Sequence, residues 1–405
     1  MSGKYGDALE DELTATTLKT LAPETWLSKQ SYPITYDFSG THYMTPYCID
    51  MKEMDAVLRK EVEENRTPSV QYILFNKDHL LHRFQYGLSD ISNRTNVAAS
   101  TTYHAFSVTK TFTALAILQL AEQCKLDLED PAIQYLPAFP YPADITVRQL
   151  LSHAAGIPNP IPLSWIHLLT EHASFDRNKF FKSIYAQNKP VKFKPNEKFA
   201  YSNLGFVLLG QLIETVSGLI YEDYINSEII SKLHLPENAF GFEISDIQKH
   251  ATGYHKRMSF SNLILGSFLN KSKFMESSQG PWKPFKNFYV NGTSYGGLIG
   301  TPNAFVRYIQ ELLKPDCCLI TDAYKKILFT ENHAIDGKAT GMCLSWFCGT
   351  LNGKNYFAHA GGGGGYYCEI RIYPETGIGS VVFFNRTGFS DERFLNKVDR
   401  YYISA

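Results

Sequence analysis

At 405 residues, 44% hydrophobic and 20% charged, the chain has the composition of a globular protein large enough for several layers around a substantial core. A formal net charge of −1 supplies no field to gather nucleic acid or an anionic membrane, and no apolar run approaches the roughly 18 residues of a membrane span. Seven cysteines, odd in number and without C-x-x-C spacing, argue against a disulfide framework or a zinc ribbon.

Residues 1–50 are polar and turn-rich, without the basic-then-apolar order of a secretory leader. They are expected to be an extension packed on the body, and the protein to be cytoplasmic. From Met51, "MKEMDAVLRKEVEE" has helical period, ended by Pro68. "SVQYILFN" and "HLLHRFQYGLS" alternate like a strand pair joined at Lys77-Asp78. Helical periods then dominate to about residue 290: an amphipathic run over 104–123, "ITVRQLLSHAAG", "NKFFKSIYAQ", "SNLGFVLLGQLIETVSG" and "YEDYINSEIISKL". "NAFVRYIQELL" follows, then four strand-like runs, "GMCLSWFCGT", "KNYFAHA", "YYCEIRIYP" and "GIGSVVFFN", and a last helix "ERFLNKVDRYY".

Strands joined by short turns imply an antiparallel sheet. The predicted fold is α/β of the α+β kind. Residues 51–100 and 291–405 form a sheet lobe flanked by terminal helices, and a mostly helical lobe, 101–290, is inserted between them.

One pair carries chemistry. Ser107 and Lys110 stand three residues apart at the start of the 104–123 helix, and no other serine in the chain has lysine at that spacing. A lysine at i+3 shares the serine's helix face, and a serine becomes nucleophilic only when a neighbour takes its proton. The helix N-terminus adds N–H donors and partial positive charge, which favour an oxyanion and lower a lysine pKa. Acyl chemistry also needs a second proton carrier and substrate-orienting groups. "KFAYSNLGF" offers Tyr201 and Asn203 at the mouth of another helix. "YFAHAGGGGGYY" offers His359 at a strand end, followed by glycines where a substrate can lie against bare backbone.

Taken in order, Ser107-Val-Thr-Lys110, Tyr201-Ser-Asn203 and His359-Ala-Gly361 resemble the three motifs of the penicillin-recognising serine hydrolases. The branch resembled holds class C β-lactamases, serine D-Ala-D-Ala carboxypeptidases and family VIII carboxylesterases. "LDLEDPAIQYLP", "ITVRQLLSHAAGIP" and "YGGLIGTPNAFVRYIQELL" resemble the framework of that family, so the likeness runs from about residue 52 to the last helix.

The resemblance implies that Ser107 is acylated, with Lys110 and Tyr201 relaying its proton and Tyr201 as the base. It implies that Asn203 holds Lys110 and the substrate, and that the N–H groups of Ser107 and Gly362 form the oxyanion hole beside Gly361. No metal or cofactor is implied, and the partner is a small ester or amide. The third motif departs from the Lys-Thr-Gly usual in β-lactamases, since His359 is mostly neutral at pH 7. That points to a carboxylesterase. Transfer of the acyl group to an amine or alcohol, peptide cyclisation, and D-amino-acid peptidase or β-lactamase activity are the alternatives; a non-catalytic penicillin-binding sensor is the remaining one.

A rival nucleophile exists. Gly292-Thr-Ser294-Tyr-Gly296 fits the G-x-S-x-G elbow of α/β-hydrolases, but the next helical period begins only near Pro302, and an elbow must run directly into a helix. The pairs His79/His82 and His250/His255 lack partners at metal-ligand spacing, and His153 reads as a hydrogen-bonded framework residue.

Overall fold

The computed structural model describes residues 51–259, 265–387 and 393–403, so the expected extension over 1–50 lies outside the described residues. Its central sheet is built from both ends of the described chain. Helix α1 (Met51–Glu63) leads into β1 (Ser69–Asn76), which turns at Lys77-Asp78 into β2 (Leu80–Asp90) and the short β3 (Thr95–Asn96). The Asn76 side chain closes that turn by accepting from the Asp78 and His79 N–H groups. After the helical region come β4 (Phe347–Leu351), β5 (Lys354–Gly363), β6 (Tyr366–Tyr373) and β7 (Ile378–Phe384). The order across the sheet is β4-β5-β6-β7-β1-β2-β3, with every neighbouring pair antiparallel. The register Val70↔Phe384 to Asn76↔Ile378 joins the first strand to the last.

Alternation along the strands divides two cores. Tyr72, Leu74, Val382 and Phe384 face Met54 and Leu58 of α1 together with Leu395 and Val398 of the terminal helix. Ile73, Phe75, Val381 and Phe383 face the helical region, where helix α4 (Pro302–Leu313) adds Phe305 and Ile309. β1 is therefore covered on both faces, and seven of its eight residues are buried.

Two helices of the insert frame the site: α2 (Thr109–Glu122) and α3 (Asn203–Ser217). Ser202 caps α3 by accepting from Gly205 N–H, and Gly218 ends it at φ +76°. Among the described residues no single helix is long and apolar enough to cross a membrane.

Several expected elements differ in extent. The 104–123 run begins as a short strand (Tyr103–His104) and a 3-10 turn (Phe106–Val108), so α2 starts only at Thr109. Every residue from Thr109 to Ala121 is buried, so α2 is a central helix with no solvent face. The Thr146–Gln149 capping box starts a helix of only five residues, Val147–Leu151. The strand expected over 341–350 begins at Phe347, and the residues before it form a tight turn. The last helix covers only Leu395–Asp399. Asp399 ties it down by accepting from Tyr72, Tyr373 and Ser380 hydroxyls, beside the buried Arg371–Glu369 pair.

Candidate active site

The chain enters the site from the strand at Tyr103–His104, which pairs with Ile299–Gly300, and the Ala105 N–H donates to Leu298 O. Phe106 then takes φ +44°, a left-handed conformation that a bulky residue holds only where its surroundings enforce it. The bend presents Ser107, half-buried, at the head of α2.

Lys110 lies one turn on and is fully buried. Its Nζ is 3.0 Å from Ser107 Oγ and donates to the carbonyl of Tyr295 at 2.8 Å. The rings of Tyr201, Tyr295 and Phe206 surround it at 4.9, 5.2 and 5.6 Å from Nζ to ring centroid. Burial alone holds the amine well below the ordinary lysine pKa.

Tyr201 precedes α3 and packs against His153, with ring centroids 4.3 Å apart and the planes tilted by 32°. His153 is buried at φ +55°, and its Nδ1 accepts from the Ser202 N–H at 3.1 Å. Its Nε2 is buried with no hydrogen-bond partner. Burial, with Lys110 and His359 adding to it, keeps this imidazole well below the usual histidine range and therefore neutral. Asn203 does not bond Lys110. Both its backbone N–H and its Nδ2 donate to Asn159 Oδ1, at 2.9 and 3.1 Å, and its own Oδ1 is buried without a partner. The acceptor expected from Asn203 comes instead from the Tyr295 carbonyl.

The far wall is β5. His359 is 1% exposed and donates through Nδ1 to Ser345 O at 2.5 Å, which leaves Nε2 as a buried, unpartnered acceptor. Burial and the nearby Lys110 push its pKa down to about 3. Phe347 closes on its ring at 5.5 Å, and Phe199 meets Phe347 edge to face at 5.9 Å. Gly361 lies flat against the Ser107 turn: a Cβ there would fall 2.0 Å from Ala105 O and 3.0 Å from Ser107 N. Gly362 follows as an exposed residue of the same strand. Gly364, at φ +48°, packs against Phe288, where a Cβ would lie 2.3 Å from the ring. The glycine run is thus a packed strand end and tight turn.

The rival serine is placed elsewhere. Ser294 sits in a helical turn, Thr293–Gly296, that follows the strand Phe288–Val290 directly, so the local shape is closer to an elbow than the sequence suggests. Yet Ser294 is buried, and its hydroxyl donates to Phe206 O at 2.8 Å, against Gly210 of α3. The same turn contributes the Tyr295 carbonyl to Lys110. His82 bonds Asp55 at 2.6 Å, and His250 bonds Thr102 and Tyr366.

Ser107, Tyr201 and His359 thus lie about the Lys110 amine, with Gly361 against the Ser107 turn. Sequence reasoning missed Tyr295, Asn159 and Ser345. Two of these act through backbone carbonyls, which residue type does not advertise.

Comparison with known proteins bears on the family and the fold. A family described as Beta-lactamase matches residues 54–402. Protein flp of Staphylococcus aureus (strain N315) is 24% identical over 82% of this chain, but the chain spans only 63% of the length of that curated relative. Among solved structures, a D-amino acid amidase from Ochrobactrum anthropi SV3 superposes with a TM-score of 0.69 at 18% identity, covering 87% of this chain and 96% of its own. EstCE1, a hydrolase with promiscuous acyltransferase activity, gives 0.67 at 17% identity, covering 87% and 97%.

Proposed function

The chain belongs to the beta-lactamase family, a family of serine hydrolases, and from that premise we propose that it hydrolyses small uncharged esters through an acyl-enzyme on Ser107. The observation that carries the proposal is the Lys110 amine, 3.0 Å from Ser107 Oγ and fully buried, where loss of solvent disfavours its charged form. A neutral amine has a lone pair to accept the Ser107 proton, which makes Lys110 the first base and Tyr201 the group that passes the proton to the leaving oxygen. This reverses the order that the resemblance implies, in which Tyr201 is the base.

As the serine oxygen adds to the carbonyl, charge develops on the substrate oxygen. Gly361, flat against the Ser107 backbone, lets the chain approach closely enough for the N–H groups of Ser107 and Gly362 to receive it. Water then releases the acid by the reverse proton path. His359 stands where related β-lactamases carry a permanent cation, yet it is neutral and buried, so a substrate carboxylate finds no matching charge there. The half-buried Phe199 and Phe347 beside it favour an apolar acyl group.

The test is fluorophosphonate labelling with turnover of p-nitrophenyl esters, nitrocefin and D-aminoacyl amides, in wild type and Ser107→Ala. Ester turnover lost in the variant supports the reading. Labelling retained in the variant, or nitrocefin turnover exceeding ester turnover, overturns it.

A further inference from the structure

The turn that supports His359 carries two thiols. Cys343 and Cys348 are both free, and their sulfurs lie 3.2 Å apart. They flank a short reversal closed by Cys343 N–H to Trp346 O and Cys348 N–H to Gly341 O, with Met342 bridged to Phe347. Cys343 is fully buried, whereas Cys348 on β4 is partly accessible. Inside the loop between them are both groups that hold the His359 ring: the Ser345 carbonyl and the Phe347 ring. Ser345 has φ +67°, a conformation tolerated only under constraint, and its N–H donates to Leu151 O, two residues before His153. The Ser345 hydroxyl is buried without a partner.

We propose that Cys343 and Cys348 are a redox-modification site: a peroxide-class oxidant joins them in a disulfide, which displaces the Ser345 carbonyl from His359 and slows acylation of Ser107. The sulfurs need to close by only about 1.2 Å to reach bonding distance, so the oxidised form is within reach of a local adjustment. The more accessible Cys348 reacts first. Its thiolate attacks a peroxide oxygen, the O–O bond breaks, and a sulfenic acid and hydroxide result. The sulfur of Cys343 then attacks the sulfenic sulfur, forming the S–S bond and breaking S–O. Hydroxide leaves and takes up the thiol proton as water. Two sulfurs lose one electron each, and the peroxide becomes two waters. Burial and the neighbouring Cys348 raise the Cys343 thiol pKa, consistent with its role as the second, resolving thiol. The contraction acts on a turn whose middle residue is already strained, so the Ser345–His359 bond is the contact that gives.

This goes beyond the hydrolase reading, and the experiment separates the two. The full chain is treated with hydrogen peroxide, then with dithiothreitol. A peptide carrying both cysteines, lighter by two hydrogens, reports the bond. The Nδ1 resonance of His359 reports the loss of its hydrogen bond, with no need for a substrate. Fluorophosphonate labelling of Ser107 should slow by about threefold or more on oxidation and recover on reduction. Cys348→Ser should abolish all three responses while labelling at the reduced wild-type rate. Absence of the Cys343–Cys348 peptide overturns the proposal, as does a disulfide that leaves the His359 resonance in place, or a response that persists in Cys348→Ser. Should the reduced protein never label, the hydrolase reading fails while the peptide and resonance still decide this one.

Discussion

The His153 ring lies against the Tyr201 ring, 4.3 Å between centroids, while its Nδ1 accepts from the N–H of Ser202, the next residue. One side chain thus fixes both the face of the Tyr201 ring and the backbone that presents it. His153→Ala should lower kcat by about tenfold, roughly 1.4 kcal/mol of transition-state stabilisation, with little change in KM. His153→Gln, which keeps an acceptor, should recover part of the loss. Steady-state kinetics on p-nitrophenyl acetate decide it, and an unchanged kcat in the alanine variant removes the positioning role.

The two serines separate cleanly. Ser107→Ala should abolish covalent labelling. Ser294→Ala should stay within a few-fold of wild-type turnover and lose about 1 kcal/mol of stability, because only its buried bond to Phe206 O disappears. Labelling followed by mass spectrometry, with urea unfolding in parallel, reads both outcomes.

Lys110 sets activity against stability. With its folded pKa depressed, the amine is less protonated in the fold than in the unfolded chain near neutral pH, so its burial destabilises the protein there. Lys110→Met fills the same aromatic space without that penalty. It should unfold at higher temperature than wild type while losing turnover. If Lys110 and Tyr201 form one relay, Lys110→Met combined with Tyr201→Phe should be about as slow as the worse single variant. Multiplicative losses would show that the two act independently.

Burial of histidines predicts acid sensitivity. His359 and His250 are pushed down to about 3 and His255 to about 4, and His104 lies well below its ordinary value. At pH 7 these are neutral in the fold and mostly neutral in the unfolded chain, so they cost little stability there. Below about 6.5 the unfolded chain binds protons that the folded one refuses, and each such histidine costs about 1.4 kcal/mol per pH unit until its folded pKa is reached. Glu369 and Asp399, raised by burial, act in the opposite sense because the folded form binds their protons first. Urea unfolding between pH 7 and 4.5 should therefore show a smaller pH slope in His250→Gln than in wild type. An identical slope would mean that His250 protonates in the fold.

The parts of this site legible in sequence are those whose chemistry depends on side-chain type. Ser107, Lys110, Tyr201 and His359 stand in order and at distinctive spacings. Tyr295 and Ser345 contribute carbonyls, and Asn159 takes the amide contact of Asn203 from 44 residues away, so none has a local signature. The sheet was legible because its strands are long and end in turn residues. The 341–346 turn reads as strand because an apolar run does not distinguish a buried reversal from an extended segment. Helix α2 reads as amphipathic because Lys110, Thr111, Thr113 and Gln119 interrupt its apolar pattern. They are buried nonetheless, with Thr113 bonding Tyr221 and Ser294 O and Gln119 bonding Leu319 O.

His359 is the position on which substrate choice should turn. It is neutral and held by Ser345 O, its pKa lowered mainly by burial, with the neighbouring Lys110 adding to it. In His359→Lys the new ammonium can donate to the same carbonyl, and its charge further disfavours protonation of Lys110, so the nucleophile keeps its base. Neutral esters should lose some turnover, because the packed imidazole against Phe347 is gone. A carboxylated analogue should gain relative to the neutral ester by about tenfold, the lower part of the 1–3 kcal/mol range of a charge-assisted contact. The ratio of kcat/KM for the two substrates cancels any general loss of activity. A ratio equal to that of wild type would show that His359 supports the strand and takes no part in selecting substrate.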